Sequence, residues 1–277
     1  MGKALTSAEL EHFAQDGYLP ARRLATREQA ADWRRQLEAL EQQNGGRLHG
    51  ALRYKAHLLF KWLADLIRSP ALLDPIEDLI GPDILVWSTD WWIKEPRSSS
   101  FVSWHQDSQY WGLDTDRLVT AWLALSPATT GSGCIRLLPG SHRGPDLEHD
   151  ETFHDDNMLS RGQSIRSVDE SRAVNLEVDT GEIGLFAFRL AHASHPNMSD
   201  DRRIGMAIRL LPPDARQVKS DFDSATLVRG ADRHGHFELE PEPAMDFDPV
   251  TMAYHQRVDE HRRALLYQGT GRSSHRT

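Results

Sequence analysis

The hydrophobic positions of the chain change period near residue 83. Before that point they recur at helical spacing. Thr6 and Glu9 form a capping-box pattern ahead of an apolar stripe of Leu10, Phe13 and Ala14, which Gly17-Tyr18-Leu19-Pro20 breaks. Thr26 and Gln29 form a second capping box, opening a segment with Ala30, Trp33, Leu37 and Leu40 on one face and ending at Asn44-Gly45-Gly46. Leu58-Leu59-Phe60 and Trp62-Leu63 are apolar enough for a buried helix. Ser69-Pro70 reads as an N-cap with proline at the first helical position, and Leu72, Leu73, Ile76 and Leu79 or Ile80 carry that stripe to Gly81-Pro82.

From Ile84 the pattern is one of short β-rich runs: Ile84–Trp87, Trp91–Lys94, Phe101–Trp104, Leu118–Leu125, Cys134–Leu138, Ala173–Val178, Ile183–Phe188 and Ile204–Leu211. Turn-like segments such as Thr130-Gly131-Ser132-Gly133 and Pro139-Gly140-Ser141 separate them. About eight short strands with punctuating turns predict a jelly-roll or cupin-like barrel. A polar stretch over 141–172 interrupts the series and reads as a lid, since long inserts in compact domains are commonly lids or binding loops. After Pro212-Pro213 the chain turns polar. Thr226-Leu227-Val228-Arg229-Gly230 suits one more strand or an edge, and Pro241-Glu242-Pro243 a stiff linker. A helix is expected from Pro249 to about Tyr267, followed by a small, polar, frayed tail over 270–277. The expected organisation is one domain over 1–277: a helical layer over 1–82, a β core over 83–213 and an extension over 214–277.

Composition narrows the function classes. Hydrophobic residues make up 39% of 277, ample for a core. No apolar run approaches the roughly 18 residues that span a bilayer, so no membrane association is expected. The net charge of −9 argues against a polyanionic partner such as nucleic acid. Cys134 is the only cysteine, so an intrachain disulfide is impossible, as suits a reducing cytosol. The start, Met1-Gly2-Lys3-Ala4-Leu5-Thr6, lacks the basic-then-apolar shape of a signal peptide, and a cytoplasmic protein is expected. Gly2 echoes a myristoylation start only weakly. No helix presents an obvious self-complementary seam.

The candidate chemistry centres on Trp104-His105-Gln106-Asp107. On a strand, His105 and Asp107 project from one face. Two histidines and one carboxylate on one face of an ion, with the other positions open, is the pattern of non-haem Fe(II) oxygenases. The third ligand is sought among fourteen histidines. His192 and His195 follow the apolar run Leu185–Phe188, where a strand delivers side chains into a barrel, and spacing leaves both open. His57, His142, His149, His154, His234 and His236 lie in helical or loop-like surroundings and read as exposed or hydrogen-bonded histidines. The dense cluster His149, Asp150, Glu151, His154, Asp155, Asp156 reads as a solvated lid surface rather than a second metal site. The triad alone also allows a zinc-dependent hydrolase or a non-catalytic cupin-like binding module.

Four ordered blocks carry a resemblance. They are Trp104-His105-Gln106-Asp107, Thr120-Ala121-Trp122-Leu123-Ala124-Leu125, Gly133–His142, and His192-Ala193-Ser194-His195-Pro196-Asn197 through Arg203. Together with Phe13–Leu19 and Leu79–Pro82 they resemble the phytanoyl-CoA dioxygenase family over about residues 6–213. The resemblance implies a double-stranded β-helix, mainly β with flanking helices, and an oxygenase using Fe(II), 2-oxoglutarate and O2. It implies His105, Asp107 and His192 as iron ligands, and Arg203, eleven residues beyond His192, as the anchor of the 2-oxoglutarate carboxylate. A planar guanidinium suits that bidentate task. Ser194 matches a serine bonding the same carboxylate and Trp122 a tryptophan walling the co-substrate. Lys55 matches a lysine near it, across a small gap. Trp91 takes the place of a pocket methionine. Arg202, of opposite strand parity to Arg203, is expected to point outward. Asp107 favours hydroxylation, or desaturation, epoxidation or cyclisation, over halogenation, because related halogenases lack the carboxylate. Gln109, Tyr110 and Trp111, with the insert around Met158–Ile165, are candidate substrate-pocket residues for a small molecule of mixed polarity, such as a specialised metabolite. Arg161, Arg166 and Arg172 read as lid charges rather than a site for an acyl-CoA.

Overall fold

The computed structural model describes residues 4–48 and 50–266. The start Met1-Gly2-Lys3, the last residue of the expected C-terminal helix (Tyr267) and the 270–277 tail lie outside the described residues. In chain order the elements are α1 (Ser7–Asp16), β1 (Tyr18–Arg23), α2 (Arg27–Gln43), α3 (Lys61–Leu66), α4 (Pro70–Ile80), β2 (Ile84–Lys94), β3 (Val102–His105), α5 (Ser108–Trp111), β4 (Val119–Ala124), β5 (Ile135–Leu137), β6 (His149–Glu151), β7 (Gln163–Ile165), β8 (Val174–Leu176), β9 (Glu182–Ala187), β10 (His192–Ser194), β11 (Arg203–Leu211), β12 (Ser224–Arg229), β13 (Glu238–Leu239) and α6 (Pro249–Leu266). Both expected capping boxes form: Thr6 with Glu9, and Thr26 with Gln29.

A seven-stranded sheet in the order β1-β9-β4-β11-β2-β12-β13 faces a four-stranded sheet in the order β3-β10-β5-β8. This is a double-stranded β-helix, mainly β with flanking helices. Strand alternation divides the core in two. On β11, Ile204, Met206, Ile208 and Leu210 join Leu37, Leu63, Leu72 and Ile76 in the cluster between the large sheet and the helices. The intervening Arg203, Ala207 and Arg209 line a chamber between the two sheets. Trp122, Ile135, Leu137, Leu176 and Phe186 close the apolar part of that inter-sheet layer.

Four local differences have physical reasons. Tyr18–Arg23 is an edge strand rather than a simple break: Gly17 turns the chain with φ 82°, and the extended segment then pairs with β9. Ile84–Lys94 is one continuous strand, held along its length by β11. Residues 58–63 form no long helix, but a short 3-10 turn over 56–58 followed by α3. The large sheet also runs past residue 213, because β12 pairs with the free edge of β2. The 141–172 insert carries its own hairpin, β6 with β7, fastened to β3 by Ser103 Oγ donating to the Gln163 carbonyl.

Candidate metal and co-substrate site

His105 ends β3, and Asp107 follows where the chain turns into α5. His192 opens β10 and is the direct cross-strand partner of His105. One ligating atom from each of His105, Asp107 and His192 lies within 4.8 Å of the others. His105 Nε2 is 3.4 Å from Asp107 Oδ1. Each imidazole is aimed by the chain two residues upstream. His105 Nδ1 bonds the Ser103 carbonyl at 2.9 Å, and His192 Nδ1 bonds the Leu190 carbonyl at 2.9 Å. A carbonyl only accepts, so each Nδ1 carries the proton and each Nε2 is left with a bare lone pair toward the shared point. Burial pushes both imidazoles down to about 4, which keeps them neutral, and raises the Asp107 carboxyl to about 6, against the pull of His192. This donor set fits a divalent metal: two neutral nitrogen donors, one carboxylate and an open side. His195 is exposed and stands apart.

The trio borders a small chamber of about 40 Å³ that Arg203, Ser194 and Trp122 also line. Arg203 is 2% exposed. Its Nη1 donates to the Gly133 carbonyl at 3.0 Å, its Nε finds no partner among the described residues, and the guanidinium sits 5.3 Å from the Trp122 ring. Among the described residues no carboxylate pairs with it, and burial lowers its pKa to about 10. A buried guanidinium with spare donors and no counter-ion is a site for an anion. Trp122 fits against β11 only because residue 205 is glycine: a Cβ there would lie 1.9 Å from Trp122 Cζ2. Arg202 points the other way, to Glu41 at 2.7 Å and Glu95 at 2.9 Å.

Two expectations about the co-substrate chamber need correcting. Lys55 does not line the chamber. Its ammonium is buried against Glu240 at 2.5 Å and the carbonyls of Trp87 and Ser224, because the C-terminal extension brings a carboxylate to it. Trp91 has the wrong strand parity: its ring packs in the helix-facing layer against Phe60 and Trp62. Its neighbour Trp92 lines the chamber instead.

A larger cavity of about 410 Å³ adjoins the chamber, sharing Trp92, Asp107 and Arg209 with it. Tyr110 and Trp111 line it, as do Met158, Leu159 and Gln163 of the insert; Gln109 does not. Arg209 is buried at the junction, paired with Asp90 and 4.3 Å from the Trp111 ring. Tyr54 and the α6 residues His261, Arg262 and Arg263 complete the wall. Sequence reasoning missed Arg209, Asp90, Tyr54 and the α6 wall, which meet only through long-range folding. It also missed Lys94, fully buried, whose Nζ donates to Ser194 Oγ at 2.6 Å and to the His195 carbonyl. Burial, and then the charge of Arg203, push the Lys94 ammonium down to about 6. Strand alternation with Trp92 was the available signal.

Arg161 pairs with Glu151, and Arg166 with Glu148 and Asp150, within the insert itself. His149 is held between the Gln106 N–H at 3.0 Å and the Leu147 carbonyl at 2.7 Å. Among the described residues, only His105, Asp107 and His192 bring three ligating groups together.

This fold and site define a class, and comparison with known proteins names the family. The sequence model described as phytanoyl-CoA dioxygenase (PhyH) matches residues 13–205, so the chain belongs to that family. It is 29% identical over 161 residues to a probable alpha-ketoglutarate-dependent hypophosphite dioxygenase of Stutzerimonas stutzeri, covering 57% of this chain and 56% of that protein. It is 27% identical over 154 residues to the peroxisomal phytanoyl-CoA dioxygenase of Homo sapiens, covering 54% of this chain and 46% of that one. The chain thus spans about half the length of these curated relatives. Among solved structures it is similar to the non-heme monooxygenase ThoJ in its apo form: TM-score 0.82 and 31% identity, over 94% of this chain and 97% of that one. The structure titled as the ThoJ–Ni complex matches with a TM-score of 0.77 and 30% identity, over 94% and 98%. Among the described residues no helix is long and apolar enough to cross a membrane.

Proposed function

We propose that the protein is an Fe(II)- and 2-oxoglutarate-dependent oxygenase that hydroxylates an unactivated C–H bond of a small organic molecule. One observation carries this reading: the bare Nε2 atoms of His105 and His192, with Asp107, share a chamber with a buried Arg203 that, among the described residues, no carboxylate neutralises. In the proposed assignment His105, Asp107 and His192 hold the metal, and Arg203 and Ser194 hold the far carboxylate of 2-oxoglutarate. Trp122 walls the co-substrate against β11. When bound, Fe(II) with 2-oxoglutarate and O2 supplies the oxidising chemistry, with succinate and CO2 as by-products.

The chain's own residues do the rest. The Nδ1 bonds to Ser103 and Leu190 keep both rings in the metal-binding tautomer. Asp107 would be the carboxylate ligand that related halogenases lack, which supports hydroxylation over halogenation. The larger cavity is assigned to the substrate, with Tyr110 and Trp111 on one side and Met158 and Leu159 of the insert contributing a further wall. Its mix of aromatic rings and buried Arg209 suits a small molecule carrying both apolar and polar groups. The relationship to ThoJ, titled a non-heme monooxygenase, supports insertion of a single oxygen atom. The lone Cys134 supports a reducing, cytoplasmic setting. Succinate release from 2-oxoglutarate, measured with and without Fe(II) across a substrate panel and paired with mass spectrometry for a gain of one oxygen, tests the proposal. Iron-dependent succinate is expected; turnover by Zn2+ alone with no 2-oxoglutarate consumed would replace it with a hydrolase.

A further inference from the structure

Lys94 poses a question that the metal trio does not answer. Its side chain is fully buried, and among the described residues no carboxylate neutralises it. It stands directly across the β2–β11 ladder from Arg203, itself buried without a carboxylate. Among the described residues no anion sits beside these two buried basic groups, so charging both is costly, and that cost is recovered when an anion enters. The bond to Ser194 gives this a direction. Lys94 Nζ donates to Ser194 Oγ at 2.6 Å and to the His195 carbonyl, and the ammonium, the form that an entering carboxylate favours, can only donate. The single hydroxyl proton of Ser194 is then free to be donated elsewhere, and Ser194 borders the chamber beside Arg203.

We infer that Lys94 is a positioning residue for the far carboxylate of 2-oxoglutarate: it commits the Ser194 hydroxyl to donate into the chamber and places a second positive charge behind it. The inference rests on the 2-oxoglutarate reading above and adds a selectivity to it. The subsite then discriminates a 2-oxo diacid from a 2-oxo monoacid of the same length through Lys94 and Ser194 as well as Arg203.

The test is an anaerobic calorimetric titration of the full-length, Fe(II)-loaded protein with 2-oxoglutarate and with 2-oxopentanoate, which has the same carbon chain but no far carboxylate. Wild type, Lys94→Met, Ser194→Ala and Arg203→Met are compared. Wild type is expected to prefer 2-oxoglutarate strongly. Lys94→Met should cut that preference by about tenfold to a hundredfold, the span of a hydrogen bond to a charged group, while 2-oxopentanoate affinity moves by no more than about threefold. An unchanged preference in Lys94→Met overturns the inference. So does an equal loss of affinity for both acids, which is what a purely structural lysine gives. Should Lys94→Met fail to fold, Lys94→Gln takes its place with the same expected and overturning results, and an unchanged preference in Ser194→Ala overturns the inference as well. If wild type shows no preference, or Arg203→Met keeps it, the 2-oxoglutarate reading itself falls.

Discussion

His192 lies directly opposite His105 in the β3–β10 ladder, and their ring centroids are 4.1 Å apart. The register of one short strand pair therefore sets the spacing of the two imidazoles, and a slip by one residue would turn His192 away. His192→Ala is expected to abolish iron binding in otherwise folded protein. His149→Ala and His154→Ala should leave iron content unaltered, since His149 is engaged with backbone groups and His154 accepts from the Asp156 N–H at 3.1 Å. Metal analysis of the purified variants checks this; loss of iron in His149→Ala would mean the trio is incomplete.

Asp107 is a proposed metal ligand and the carboxylate that related halogenases lack. Asp107→Gly should lose hydroxylation and, with chloride supplied, give at most weak halogenation of the same substrate. Product mass spectrometry decides, and full retention of oxygenation would show that Asp107 does not ligate the metal.

Gly205 and Trp122 are in close contact across neighbouring strands. A methyl at residue 205 would meet Trp122 Cζ2 at 1.9 Å, so the ring must move. Gly205→Ala is expected to cost about 1–3 kcal/mol, as overpacking does, and to weaken 2-oxoglutarate binding while leaving iron content intact. Thermal melting and a binding titration read the two effects separately; unchanged 2-oxoglutarate affinity would remove Trp122 from the co-substrate wall.

Glu240 ties the C-terminal extension to the N-terminal helical layer through Lys55 at 2.5 Å and His57 at 2.7 Å, all buried. Burial alone would raise its carboxyl, but the Lys55 and His57 charges and their hydrogen bonds prevail and hold it well below the ordinary range. A lowered carboxyl stabilises the fold above the unfolded value of about 4.3, and that contribution is lost as pH falls through the folded value. Glu240→Ala leaves a buried ammonium unpaired and should cost about 3–5 kcal/mol near neutrality. The gap in melting temperature between wild type and variant should shrink on acidification below about pH 4.3. A gap that is absent at pH 7, or that widens in acid, contradicts this role.

Much of this was legible in the sequence because it is local. The Thr6 and Thr26 capping boxes need only four residues each, and the β-rich runs announce themselves by their composition and the turns between them. The His105–Asp107 pair needs one strand, whereas His192, Arg203 and Ser194 were reached only through the family resemblance. What stayed hidden depends on partners far along the chain. Lys55 looked like a pocket lysine until Glu240, 185 residues on, was seen beside it. Trp91 and Trp92 differ only in strand parity, which the turn-free run from Ile84 to Lys94 did not fix. Strand β10 has three residues and no propensity signal of its own; it exists because β3 and β5 flank it.

The central claim is that one chamber binds Fe(II) through His105, Asp107 and His192 and 2-oxoglutarate through Arg203. Its most direct test is an anaerobic titration of the Fe(II)-loaded protein with 2-oxoglutarate, followed in the visible range. A charge-transfer band that saturates with one equivalent of 2-oxoglutarate, and that is lost in His192→Ala, is the expected result. Folded, iron-loaded protein that develops no such band would contradict the account.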